Sequence, residues 1–276
     1  MNIDLLFEPF QYAFMVRAFV GTGLVAVVAA AIGAFVVLKG LAFMGDAISH
    51  TAFTGIALAL ILGISIYVGA LFFAIFTALG VVFLTRISSV KNDTALAILF
   101  TGVFALGIAL LSGTPGFGGD LNSLLLGSVM AIQVREVYTL AVAAVLLGLV
   151  LATFFHRFVL VSFDPVGAEA AGFPVALVQS VLLIMIACAI VISIQAVGVI
   201  LVVALLITPA ATASLLTKNL KTLILLSSAF GLLSSFFGLY ISYFFGAPPG
   251  ATVVLVATVF FGFVLGVQKL RGARSV

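Results

Sequence analysis

Six uncharged stretches leave this chain few ways to fold. They cover residues 18–38, 47–85, 94–119, 137–156, 170–217 and 222–268. A helix needs about 20 apolar residues to cross a hydrocarbon core of roughly 30 Å. Residues 18–38, 94–119 and 137–156 therefore make one span each. Residues 47–85 make two, with a break near Gly63, and the two longest stretches make two each. The total is about nine transmembrane helices, within a range of eight to ten set by the first and last. A membrane β-barrel would instead alternate polarity over segments of about 10 residues. The apolar share of 65% and the mean hydropathy of +1.47 are far from those of a soluble domain. We expect an all-α, polytopic integral membrane protein with one transmembrane domain over residues 1–276.

The basic residues orient it, because cytoplasmic loops collect Lys and Arg. If the segment after the first span is cytoplasmic, that side holds Lys39, Arg86, Lys91, Arg157, Lys218, Lys221, Lys269, Arg271 and Arg274. The other side keeps only Arg17 and Arg135. The C-terminus then lies inside and, for an odd helix count, the N-terminus outside, which leaves Arg17 on the unfavoured side. The net charge of +3 reflects these loops and does not point to nucleic acid. Asp4 and Glu8, with no basic region, do not read as a cleaved signal peptide.

Within this hydrocarbon, Asp46 and His50 stand out. Charged residues make up 7% of the chain and there are two histidines. Four positions apart, Asp46 and His50 share one face of a helix. An ionisable residue inside a bilayer is costly and marks function by default. A carboxylate and a neutral imidazole suit Zn(II) and Mn(II). Two ligands make a partial shell, to be completed by water, Ser49 or a backbone oxygen, or a second copy of the chain. The plain alternatives are a buried Asp–His pair that orders the helix start, and Asp46 as a simple helix cap.

Other features read locally. Asp164 is a good N-cap and Pro165 suits the first helical position, while Gly172 and Pro174 stop the helix. This predicts a helix of roughly two turns on the cytoplasmic side, either a docking element or a connector. Ser227, Gly231, Ser234, Gly238 and Ser242 form a small-residue stripe that packs either within the chain or across a dimer. Pro209 should kink its helix, with Thr208 a candidate to satisfy the freed backbone. Asp93 reads as a helix cap, Arg135–Glu136 as an interfacial anchor, His156 as an interfacial residue, Cys188 as a small apolar side chain, and Asp120 as a solvated acid in a Gly-rich outer loop. No P-loop motif is present. The acid/base and Ser/His/Asp arrangements of a soluble enzyme are not supported.

Several segments together carry a family resemblance. They are Phe-Glu-Pro-Phe (7–10), residues 35–52 with Met-Gly-Asp-Ala-Ile-Ser-His-Thr at their centre, Leu-Asn-Ser-Leu-Leu-Leu-Gly-Ser (121–128), Phe-Asp-Pro (163–165) and Val197–Ala213. Over nearly its whole length the chain resembles the membrane permeases of bacterial ABC importers for zinc, manganese and related divalent ions. The resemblance implies a type II importer-like permease in the bacterial inner membrane, working as a homodimer. Its partners would be two cytoplasmic ATP-binding cassette subunits and an extracellular or periplasmic metal-binding protein, with lipid around it. It implies that Asp46 and His50 line the metal path and that 164–173 is the coupling helix, with Asp164, Pro165, Glu169 and Gly172 meeting the ATPase. No cofactor is expected in this chain; Mn2+ or Zn2+, or Fe, would be the cargo, and ATP would bind the partner. Rival readings are a permease for a bulky metal chelate, an ion-coupled secondary transporter, and a structural membrane subunit.

Overall fold

The computed structural model describes residues 8–87, 91–112, 127 and 129–272. The Gly-rich outer loop with Asp120, most of the 121–128 segment, Phe7 and Arg274 lie outside the described residues. Among the described residues there are ten α-helices: α1 (Ala13–Leu38), α2 (Ala42–Leu62), α3 (Ile66–Ile87), α4 (Asn92–Ser112), α5 (Val134–Phe163), α6 (Pro165–Ala170), α7 (Val175–Val197), α8 (Val199–Ser214), α9 (Leu220–Phe245) and α10 (Pro249–Gly272). Short 3-10 turns stand at Glu8–Gln11 and Val129–Ala131, and no strand occurs among the described residues.

Nine of the ten are apolar, at the positions the uncharged stretches predict. Eight are long and apolar enough to cross a membrane. The ninth, α8, has 16 residues. At about 1.5 Å per residue it spans roughly 24 Å, short of a 30 Å core. Gly198, at φ 83°, cuts the long apolar run 170–217 there. The break expected near Gly63 is present: Gly63 adopts φ 66° and its N–H bonds to the Ala59 carbonyl, ending α2.

By contact, the chain divides into two compact units, and neither is a continuous stretch. One comprises Met1–Val37, Leu121–Leu146 and Ser193–Val276; the other comprises Leu38–Asp120 and Leu147–Ile192.

In the first unit, α8, α9 and α10 pack on one another. Backbones approach closely where side chains vanish. A Cβ at Gly33 would run into the Leu206 carbonyl, and one at Gly238 into the Val253 backbone. The stripe Ser227, Gly231, Ser234, Gly238 and Ser242 is wholly buried. Gly231 faces Ala26 and Ala30 of α1, and Gly238 faces α10. Its role is packing inside the chain, so the dimer-face reading falls away. Arg17 donates to the Ile132 carbonyl at 2.9 Å, a local tie that accounts for a cation on the unfavoured side. Pro209 lies inside α8, but the Thr208 carbonyl accepts from the Thr212 hydroxyl at 2.8 Å, which is not the rescue expected of Thr208.

In the second unit, α2 packs on α3 and on α4. The α2–α3 crossing is set by two glycines. A Cβ on Gly55 would strike the Gly69 carbonyl, and a Cβ on Gly69 would strike the Gly55 carbonyl. Asp93 falls in the first turn of α4 and is not its cap. Back in the first unit, Arg135 and Glu136 stand in the first turn of α5, and the Glu136 carboxylate accepts from the Gln133 N–H at 2.8 Å, closing the start of that helix.

Because a backbone carbonyl cannot move aside as a side chain can, Gly55→Val forces the α2–α3 pair apart. We expect destabilisation of about 1–3 kcal/mol or more, read as a lower midpoint in thermal unfolding of the detergent-solubilised protein. An unchanged midpoint contradicts the close crossing.

Candidate metal path

α2 is the least apolar of the eight spans, with a mean hydropathy of 1.4. Most of its first four turns is buried, Met44, Ala47, Ile48, Ser49, Thr51 and Ala52 among them, whereas Leu60, Ile61 and Leu62 at its end are exposed. Within those first turns one stripe at helical spacing stays open. Phe43 is 75% exposed, and the Asp46 and His50 side chains are 52% and 27% exposed. The pair therefore sits on an open face of this chain and is not sealed in its core.

Asp46 lies inside α2, not at its start, and the N-cap residue is Leu41 with no side-chain cap bond. The capping reading of Asp46 is thereby excluded. At 1.5 Å per residue the two groups stand roughly 6 and 12 Å along the helix from its first residue.

His50 Nε2 and Asp46 Oδ1 are 3.5 Å apart. That is longer than a close hydrogen bond. Two ligands about 2.1 Å from one tetrahedral ion stand about 3.4 Å apart, and adjacent ligands of an octahedral ion about 3.1 Å, so small side-chain shifts would let both groups reach a single dication.

The imidazole is held from the side by α4. Its ring centroid is 5.5 Å from that of Phe100 and 5.2 Å from that of Phe104, the second edge-on, and the two phenylalanines stack at 5.8 Å. α4 in turn is fixed on α2 by Thr54, whose hydroxyl donates to the Val103 carbonyl at 2.9 Å. Gly107 lies so close to Thr54 that a Cβ there would collide with it. Ser49, proposed from sequence as a further ligand, is fully buried and donates to the Gly45 carbonyl at 2.8 Å. It is thus unavailable to a metal on the Asp46–His50 face. Among the described residues no group of three or more His, Cys, Asp and Glu could hold a metal. Phe100 and Phe104 were missed from sequence; only their spacing of four in an apolar helix hinted at a shared face.

The short helix is also where the sequence puts it. α6 is capped by Asp164, which accepts from the Gly167 N–H at 2.8 Å, with Pro165 in the first turn. Gly172 follows at φ 81°, a left-handed conformation that glycine adopts without strain. Val166 and Glu169 are exposed. His156 is exposed beside Arg157, which lies 5.3 Å over the Phe154 ring.

Among the described residues, eight helices long and apolar enough to cross a membrane mark a multi-pass membrane protein. Residues 11–268 match the ABC 3 transport family, and the chain belongs to it. The manganese transport system membrane protein MntC of Listeria innocua is 43% identical over 251 residues, 91% of this chain and 89% of that protein. MntC of Halalkalibacterium halodurans is 38% identical over 99% of this chain and 94% of its own length. Among solved structures, PsaBC from Streptococcus pneumoniae, in complex with Fab, is similar at a TM-score of 0.84 and 36% identity, covering 96% of this chain and 95% of that one. A putative metal-chelate type ABC transporter in an inward-facing conformation shares the fold, at a TM-score of 0.73 and 20% identity over 96% of this chain and 90% of that one. Family membership sets aside the secondary-transporter and structural-subunit readings.

Thr54→Val removes the bond that seats α4, and with it the wall behind His50. We expect a loss of about 0.6 kcal/mol, at most ~1.7, measured by unfolding in detergent. A stability gain would show that this bond does not hold the two helices.

Proposed function

We propose that this chain is the permease subunit of an ATP-driven importer of divalent metal ions, with manganese as its cargo. The observation that carries the reading is the Asp46–His50 pair, 3.5 Å apart, on the stripe that packing leaves open in the buried first turns of α2. The manganese transporters among its relatives support the choice of metal.

A single copy offers two ligands, and the open face asks for more. A second copy of the chain, related by a two-fold axis along this face, supplies another Asp46 and another His50. Metal delivered by an extracellular or periplasmic binding protein enters between the copies, and these groups replace part of its hydration shell. Imidazole and carboxylate together suit Mn(II) and also tolerate Zn(II) and Fe(II). A partial shell binds weakly enough to release, as conduction demands.

The drive comes from separate ATP-binding subunits, which hydrolyse ATP and dock on the 164–173 segment. ATP binding there shifts which side of the pair is open. The Lys/Arg bias puts that segment and the C-terminus in the cytoplasm of a bacterial cell, with the chain in its inner membrane.

Two outcomes test this. In cells with wild-type levels of the protein, Asp46→Ala or His50→Ala should lower manganese uptake about tenfold or more; normal uptake would remove these residues from the path. Asp164→Ala costs α6 its cap, about 1 kcal/mol. ATPase stimulation by the metal-loaded binding protein in the reconstituted complex should fall, and full stimulation would show that α6 does not couple the subunits.

A further inference from the structure

The second unit holds a cleft beside the 164–173 segment, and of the residues on its walls that carry charge the transport reading uses only Glu169. Its narrow end, about 70 Å³, is bounded by Lys39, Met44 and Leu183. Its wide end, about 450 Å³, lies between the last turn of α3 and the α6–α7 segment, with Arg86 and Glu169 on its walls. The two share Val82, Thr85 and Gln179 as walls and so lie side by side.

The polar groups in it are mostly donors without acceptors. Lys39 is half-buried and donates only to the Val161 carbonyl, at a long 3.4 Å. Burial pushes its ammonium below the usual lysine range. No carboxylate pairs with it or with Arg86 among the described residues. The Gln179 amide has no partner among them either. Glu169 is the one acid on the walls, and it is exposed. The Thr85 hydroxyl is already committed, to the Val81 and Val82 carbonyls. A buried amine with spare donors is costly unless an anion meets it.

Position identifies the anion. Lys39 follows the last residue of α1, and Arg86 is the penultimate residue of α3. Both stand at helix ends, at the level where a bilayer keeps its headgroups. The apolar residues nearby at the end of α3 and the start of α7, Phe83, Ile87 and Leu177, are exposed as hydrocarbon-facing groups would be. Basic pockets between spanning helices at this level take anionic headgroups. The narrow end has room for about two waters, enough for a phosphate oxygen to approach Lys39 but not for an acyl chain.

We propose that this cleft binds the phosphate of an anionic phospholipid, gripped by Lys39, Gln179 and Arg86, with its acyl chains lying outside along α3 and α7. The lipid then braces the end of α3 against the segment that carries α6.

The test is native mass spectrometry of the full-length chain, purified with its partner subunits and equilibrated with equal phosphatidylglycerol and phosphatidylcholine. The wild type should retain phosphatidylglycerol preferentially. Lys39→Gln and Arg86→Gln should each lower its retention about fivefold, and Lys39→Arg should restore most of it. Arg86 is exposed, so Arg86→Gln decides the matter if Lys39→Gln fails to fold. Equal retention of the two lipids, or no effect of Arg86→Gln, overturns the proposal. Displacement of the lipid by millimolar inorganic phosphate alone would make the ligand a free anion and overturn it too. So would retention seen only after the partner subunits are stripped away, which would assign the cleft to a protein contact.

Discussion

Hydrocarbon offers no hydrogen bonds, and that constraint shapes almost every polar group in this protein. Hydroxyls within the spans turn back on their own helices: Ser49 to Gly45, Thr77 to Phe73, Ser180 to Ala176, Ser227 to Leu223. Thr54 instead reaches a neighbouring helix. Ser234 and Ser235 are buried with no partner among the described residues, at positions where α9 needs small volume more than satisfied hydroxyls. Against that background an exposed carboxylate and a half-buried imidazole on a spanning helix are costly, and the cost makes sense if something charged passes them.

The geometry around the pair keeps it usable. Burying Ser49 and the neighbouring apolar residues fixes the rotation of α2, so Asp46 and His50 must face outward. Glycine crossings at Gly55–Gly69 and Thr54–Gly107 bring α3 and α4 close without occupying that face. Phe100 and Phe104 then limit how the imidazole can swing. A site of this kind is stiff in its walls and incomplete in its ligands. That suits a carrier, which must bind and let go, better than a structural metal centre with a closed shell.

Much of this was legible in the sequence because it is local. Apolar run lengths set the spans. Gly63 ends α2 and Asp164–Pro165 starts α6, since caps depend on a few neighbouring residues. The i, i+4 spacing of Asp46 and His50 placed them on one face. What was not legible depends on partners distant in the chain. Ser49 looked like a ligand until helix packing turned it inward. Nothing in the apolar run 170–217 marked Gly198 as a break, yet its positive φ of 83° sets the start of α8 there. The fate of the Ser227–Ser242 stripe depended on whether another part of the chain could reach it, and α1 and α10 do. Phe100 and Phe104 become part of the site through a fold contact across some fifty residues.

The central claim is that a transported dication is held by Asp46 and His50 together. Electron–nuclear double resonance on Mn(II) bound to the assembled transporter addresses it directly, because it reports a nitrogen ligand on the metal. The account predicts a histidine-nitrogen coupling in the wild type that disappears in His50→Ala. A nitrogen coupling that survives that substitution unchanged, or none in the wild type, would place the metal elsewhere and contradict the account.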